Sequence, residues 1–160
     1  MRFDKAILFL LVFILSGCGG IVNYSPNSSV PRDGKIIVLP FQNNSDAPLA
    51  GQKVKNILAN VLYSKGFDVE VVSLNDEDYI TQDKAFRIAD RKGAKYFIFG
   101  SVNEWRYKTG IEAEPAVSLD LRVIDRESER VVYSAVGAKN GWSDESLGSV
   151  AQKLILELVR

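Results

Sequence analysis

Ile36-Ile37-Val38-Leu39 is the stretch that most restricts what this chain can become. Four apolar residues in a row, three of them β-branched, lack the alternation of a half-wet strand and suit one buried on both faces. Gln42-Asn43-Asn44-Ser45-Asp46 breaks the run and Pro48 suits the first turn of a helix. Val54, Ile57, Leu58, Val61 and Leu62 then share one helical face, which Gly66 ends. Phe67, Val69 and Val71 alternate with Asp68 and Glu70, as in a strand with one wet face. A strand, helix and strand in that order predict a parallel pair with a crossover helix.

The rest of the chain extends this unit. Thr81 to Lys92 reads as a helix with a narrow apolar face of Ala85, Ile88 and Ala89, ended by Gly93. Lys95 to Trp105 reads as a strand with Phe97 to Gly100 buried. Ala116 to Ile124 and Arg130 to Ala138 form a hairpin around Asp125 to Glu129. Ser143 is placed to cap a last helix, with Asp144 and Glu145 in its first turn. Leu147, Val150, Ala151, Leu154, Ile155 and Leu158 give that helix a broad apolar face. The predicted fold is α/β (α+β): a single mixed β-sheet, order β-α-β-α-β-β-β-α, with helices packed on the sheet.

The N-terminus has a different logic. Arg2 and Lys5 precede an uninterrupted hydrocarbon run from Ala6 to Leu15, too short to span a bilayer as a helix. Leu15-Ser16-Gly17-Cys18 closes it and resembles the bacterial lipobox, in which a cysteine is acylated and the leader is cut off before it. Cys18 is the single cysteine of the chain, and a thiol consumed as a thioether accounts for the odd count. Gly19 after it, where an Asp would retain the protein, points to the periplasmic side of an outer membrane. The organisation predicted is a lipoprotein signal peptide at 1–17, a lipidated flexible tether at 18–34 and a single mixed-sheet α/β domain at 35–160. The tether reading rests on the breakers Gly19-Gly20, Ser25-Pro26, Pro31 and Gly34; an ordered arm packed on a neighbouring subunit is the alternative.

Composition narrows function. With the leader gone, 18 basic and 19 acidic residues remain of the 20 and 20 in the whole chain. That balance gives no basic footprint for nucleic acid. Histidine is absent, which removes imidazole bases and His-ligated metals, and an acylated Cys18 removes thiolate chemistry. No Gly-rich phosphate loop follows a strand. Acidic groups at Asp76 to Asp78 with Asp83, at Glu112 and Glu114, and at Asp125 to Glu129 are solvated loop faces or, multiplied around a ring axis, a negative funnel. Paired carboxylates also suit glycosidases, but nothing apolar surrounds these. The reading is a non-enzyme with neither cofactor nor metal.

Trp142, between Gly141 and Ser143, is the residue hardest to explain as core. Two placements are open: the indole meets the lipid interface, or it folds back onto the sheet or the last helix. Trp105-Arg106-Tyr107 ends a strand, either as ordinary packing, a cation–π or subunit contact, or a sugar-stacking platform.

Lys35 to Asp46 with Phe67 to Val72 resembles the broad group of CsgG, LpoB and TolB N-terminal domains. Gly100-Ser-Val-Asn-Glu-Trp-Arg-Tyr-Lys, Glu114-Pro-Ala-Val, Gly141-Trp-Ser and Val150-Ala-Gln-Lys-Leu narrow this to the PelC family of Pel exopolysaccharide export lipoproteins. The resemblance implies a non-catalytic dodecameric ring under the outer membrane, with an electronegative funnel that guides a cationic polysaccharide to a PelB-like channel. It makes Cys18 the acylated residue and Trp142 the membrane contact. The alternatives are an LpoB-like activator of a cell-wall synthase and a CsgG-like secretion component; no inserted pair of barrel-forming strands favours the latter.

Overall fold

The computed structural model describes residues 20–26, 28–74, 80–110 and 113–159. Its elements are β1 (Ile21–Tyr24), β2 (Ile36–Val38), β3 (Gln42–Asn43), α1 (Ala50–Ser64) and β4 (Val69–Val71), then α2 (Gln82–Arg91), β5 (Tyr96–Tyr107), β6 (Pro115–Asp125), β7 (Val131–Asn140) and α3 (Leu147–Leu158). All strands join one mixed sheet in the order β1-β7-β6-β5-β2-β4, with β3 also on β5. Strand β2 runs parallel to both β4 and β5, as the crossover helix requires, and β6 and β7 form the antiparallel hairpin. The predicted single mixed sheet with helices on it is what the chain forms.

The buried run owes its position to flanking on every side. Ile36 and Val38 point to a core shared with α1 and α3, while Ile37 and Leu39 point to a second core beneath α2. The layers are therefore helix pair, sheet, single helix. Gly51 lets α1 come down on the loop after β2, since a Cβ there would overlap the Phe41 carbonyl. Tyr133 is fully buried on β7 and its hydroxyl donates to the Leu158 carbonyl at 2.7 Å, tying the hairpin to the end of α3.

Two strands escape the sequence pattern. Gln42–Asn43 adds a short parallel rung to β5. Ile21–Tyr24 pairs antiparallel with β7, Ile21 opposite Ala138 and Tyr24 opposite Ala135. The expected flexible tether over 18–34 is thus corrected: from Gly20 onward the described part lies on the domain. The physical reason is a free edge on β7 beside a four-residue segment, Ile-Val-Asn-Tyr, whose Val22 reaches the core. Further along, Val30 is buried, Arg32 lies over the Phe67 ring at 4.1 Å, and Asp33 accepts from Tyr96 at 2.8 Å.

The last cap also moves. Ser146, not Ser143, accepts from the Ser149 amide at 3.1 Å and starts α3. At the first helix, Pro48 stands two residues outside; Leu49 takes a left-handed φ of 62° and α1 begins at Ala50.

Candidate functional site

One end of the sheet gathers the features singled out in the sequence. Strand β7 leads into Gly141, whose amide donates to the Pro115 carbonyl at 2.8 Å; Pro115 in turn stands opposite Tyr107 in the ladder. Tyr107, Pro115 and Gly141 therefore form one row across three strands. Gly141 is needed for closeness: an added Cβ would overlap Val150 Cγ2 on α3 and lie 2.9 Å from Pro115 Cγ.

Trp142 follows on a loop that is fixed from both sides. Its amide donates to Glu145 Oε2 at 3.1 Å, and the Glu145 amide donates to the Trp142 carbonyl at 3.0 Å. Glu145 Oε1 accepts from Lys153 Nζ on α3. Lys153 first, then the Trp142 amide, hold the Glu145 carboxyl below the usual carboxylate range. The indole itself is 59 % exposed, so it does not fold back onto the sheet or the last helix. Tyr107, 48 % exposed, projects from the same end. Both are large apolar rings left in solvent, which costs hydrophobic free energy unless something covers them.

The chain also enters here. The pairing of Ile21 with Ala138 sends Gly20 towards Lys139, and a Cβ on Gly20 would lie 3.2 Å from the Ala138 carbonyl oxygen. Cys18 lies outside the described residues, as do the acids 76–78 and Glu112. Two residue steps separate Cys18 from Gly20, a reach of about 7 Å at most.

Trp105 is buried at 5 % exposure in the α1–α3 core, which removes the sugar-stacking reading. Arg106 bonds Glu104 through Nε and Nη2, both at 2.8 Å. Glu114 pairs with Lys108 at 3.5 Å, and Asp125 accepts from the Ser128 amide at 2.7 Å within its own turn. These acids are compensated locally. Sequence reasoning missed an open groove of about 670 Å³ on the sheet face away from α1 and α3, lined by Asn44, Ser45, Asp46, Asn103, Glu104 and Ser118. Its floor is a hydrogen-bonded set in which Asn44 donates to Asn103 at 3.0 Å and Ser101 donates to Asp120. The signal was there, as polar residues alternating along Ser101, Asn103, Ser118 and Asp120.

A solved structure described as a PelC dodecamer from Paraburkholderia phytofirmans superposes with a TM-score of 0.75 and 35% sequence identity, over 88% of this chain and 95% of that one. The chain belongs to the PelC family. A single-substitution variant of the same PelC, again a dodecamer, matches at 34% identity and a TM-score of 0.74, covering 86% of this chain and 95% of the other. The PelC fold extends to lipoprotein GNA1162 from Neisseria meningitidis at 18% identity and a TM-score of 0.55, over 77% and 96% of the two chains. No family model and no curated protein matches the sequence. Among the described residues of this PelC-family chain, no helix is long and apolar enough to cross a membrane.

Proposed function

We infer that this chain is a non-catalytic, lipid-anchored subunit of a homo-oligomeric ring on the periplasmic side of the outer membrane, assisting passage of a cationic exopolysaccharide to a PelB-like channel. The observation that carries the reading is the 35% identity to a PelC that is itself a dodecamer. Geometry supports it. Acyl chains on Cys18 would hold lipid within a few ångströms of Gly20, at the end of the sheet where Trp142 and Tyr107 are exposed. Anchoring by several chains already gives attachment at about 0.8 kcal/mol per buried CH₂, so the exposed indole serves orientation.

The LpoB-like alternative needs reach across the cell wall. With Ile21–Tyr24 bound to β7, the chain between lipid and domain shortens to Cys18 through Gly20, which disfavours a distant partner. The test is a deletion strain complemented with the wild-type chain or with Cys18→Ala. Secreted cationic polysaccharide returns with the wild type and not with the variant. Export that is unaffected by the deletion overturns the proposal.

A further inference from the structure

The sheet face that carries α2 is only half covered. Helix α2 closes over Ile37, Leu39, Phe97 and Ile124, on the β2 and β5 side. Among the described residues no helix lies on that face beyond β6, and exposed apolar side chains stand there: Val132 is 36 % exposed, Val136 46 % and Ile21 73 %. Val136 and Ala138 share one face of β7 and Ile21 stands beside Ala138 on β1; Ser134, Asp120 and Asn23 border Val136, and Val132 lies where β7 shifts register against β6. Among the described residues the outer edge of β1 is also unpaired. An edge strand with an apolar face is a template for another chain.

The exposed apolar residues between Val132 and Ala138 are spread over six residue steps, about 20 Å at ~3.3 Å per residue, away from the Trp142 end. A bilayer touching Trp142 does not cover such a stripe along its length, whereas a neighbouring subunit does. A closed ring repeats one head-to-tail contact, in which a patch meets a different patch on the next copy. The other end of the same sheet face offers one. Helix α2 carries a cleft of about 250 Å³ lined by Lys84, Phe86, Arg87, Asp90 and Arg91, with Phe86 half-buried in it.

We propose that the Ile21–Val136–Ala138 stripe of one copy is covered by the α2 cleft around Phe86 of the next, and that this contact, repeated, builds the ring. The inference rests on the ring reading above and adds which surfaces meet. Each copy then has a donor edge and an acceptor edge, and losing either one stops closure.

The experiment uses the full acylated protein in detergent, with native mass spectrometry as readout and far-UV circular dichroism as the fold check. Val136→Glu is expected to give monomers with an unchanged spectrum, because its side chain already stands in solvent. Phe86→Glu breaks the contact from the other side, with the spectrum checking the α2 core against which Phe86 packs, and Arg87→Glu, on an exposed rim position, weakens the ring without touching the core. Leu156→Glu, equally exposed on α3 at 43 %, keeps the wild-type mass. Mixing Val136→Glu with Phe86→Glu copies leaves one intact contact, so heterodimers form and nothing larger. A wild type that is itself monomeric sinks the ring reading and this contact with it. A wild-type ring that persists in Val136→Glu overturns the contact alone. Loss of the ring with Val136→Glu but not with Phe86→Glu or Arg87→Glu overturns its α2 half.

Discussion

Ile21 on β1 stands directly opposite Ala138 on β7, four residues before Trp142. This one register decides how the N-terminal segment relates to the loop that carries Trp142. A free tether would let the domain adopt any tilt below a membrane. A chain clamped at Ile21 would leave only Gly19 and Gly20 between an acyl anchor on Cys18 and the sheet.

Lengthening that link tests its use. Ten Gly and Ser residues inserted between Gly19 and Gly20 add roughly 16–19 Å of root-mean-square reach at about 5–6 Å times the square root of the residue number. Folding is expected to be unchanged, with a melting temperature within a degree of wild type, since β1 is intact. Polysaccharide export is expected to fall, measured as secreted cationic polymer. Full export with the longer link would show that distance to the membrane does not matter.

Trp142 is one of two tryptophans, and the other, Trp105, is buried. Fluorescence therefore separates them. In vesicles containing brominated phosphatidylcholine, the acylated wild type is expected to lose part of its emission by contact quenching, and Trp142→Phe to lose none. Because the indole is 59 % exposed and its loop is held through the backbone amide, Trp142→Ala should alter stability by no more than about 0.5 kcal/mol. Equal quenching in wild type and variant would place the ring away from lipid.

Much of this architecture was legible because periodicity is strong where burial is two-sided. Ile36 to Leu39 announced a central strand, and the faces of α1 and α3 followed from the spacing of Val54, Leu58 and Leu62 and of Val150, Leu154 and Leu158. Ile21–Tyr24 was not legible. Four residues between Gly20 and Ser25-Pro26 are too few to show a period, and what makes them a strand is the free edge of β7, more than a hundred residues later. The cap of α3 failed for a local reason: Ser143 and Ser146 are both plausible caps, but Glu145 is drawn back to the Trp142 amide and to Lys153, which leaves Ser146 to receive the Ser149 amide. Trp142 was recognisable as a residue out of place, and its exposure needed the structure.

Acid should uncover a second fastening. Lys35 first, then Lys92, hold Glu70 at a pKa of about 2 against an ordinary value of 4.5. A carboxyl with a depressed folded-state pKa contributes stability that is fully present above the ordinary value and lost as pH falls from there towards 2. The melting temperatures of wild type and Glu70→Gln are therefore expected to differ at pH 7 and to converge between pH 4.5 and 2. A gap that is constant over this range would mean that the pair contributes nothing electrostatic. The group is solvent-facing, so the gap should also shrink in high salt.

Tyr133→Phe isolates the tie between hairpin and last helix. The variant keeps the packing and leaves the buried Leu158 carbonyl without its 2.7 Å donor, at a cost of about 1–3 kcal/mol. For a domain of this size each kcal/mol lowers the melting temperature by roughly 2–4 °C. No change on calorimetry would show that the carbonyl finds another donor.

Gly141→Ala addresses orientation most directly. The new methyl would overlap Val150 Cγ2 and crowd Pro115, so either the loop lifts or α3 shifts. Overpacking of this kind costs about 1–3 kcal/mol, and because Trp142 is the next residue, the shift is carried straight to the indole. Cys18 and Trp142 are both retained, so a simple inventory of anchors expects normal export. Under the proposed anchoring, export falls while membrane fractionation stays at wild-type level, because attachment would depend on Cys18 and the aim of the indole on Gly141. Pairing the variant with Val150→Ala, which frees the space that the methyl needs, should restore export in part. Failure of that rescue, with both proteins folded, would mean that the row Tyr107, Pro115 and Gly141 does not set the direction of Trp142.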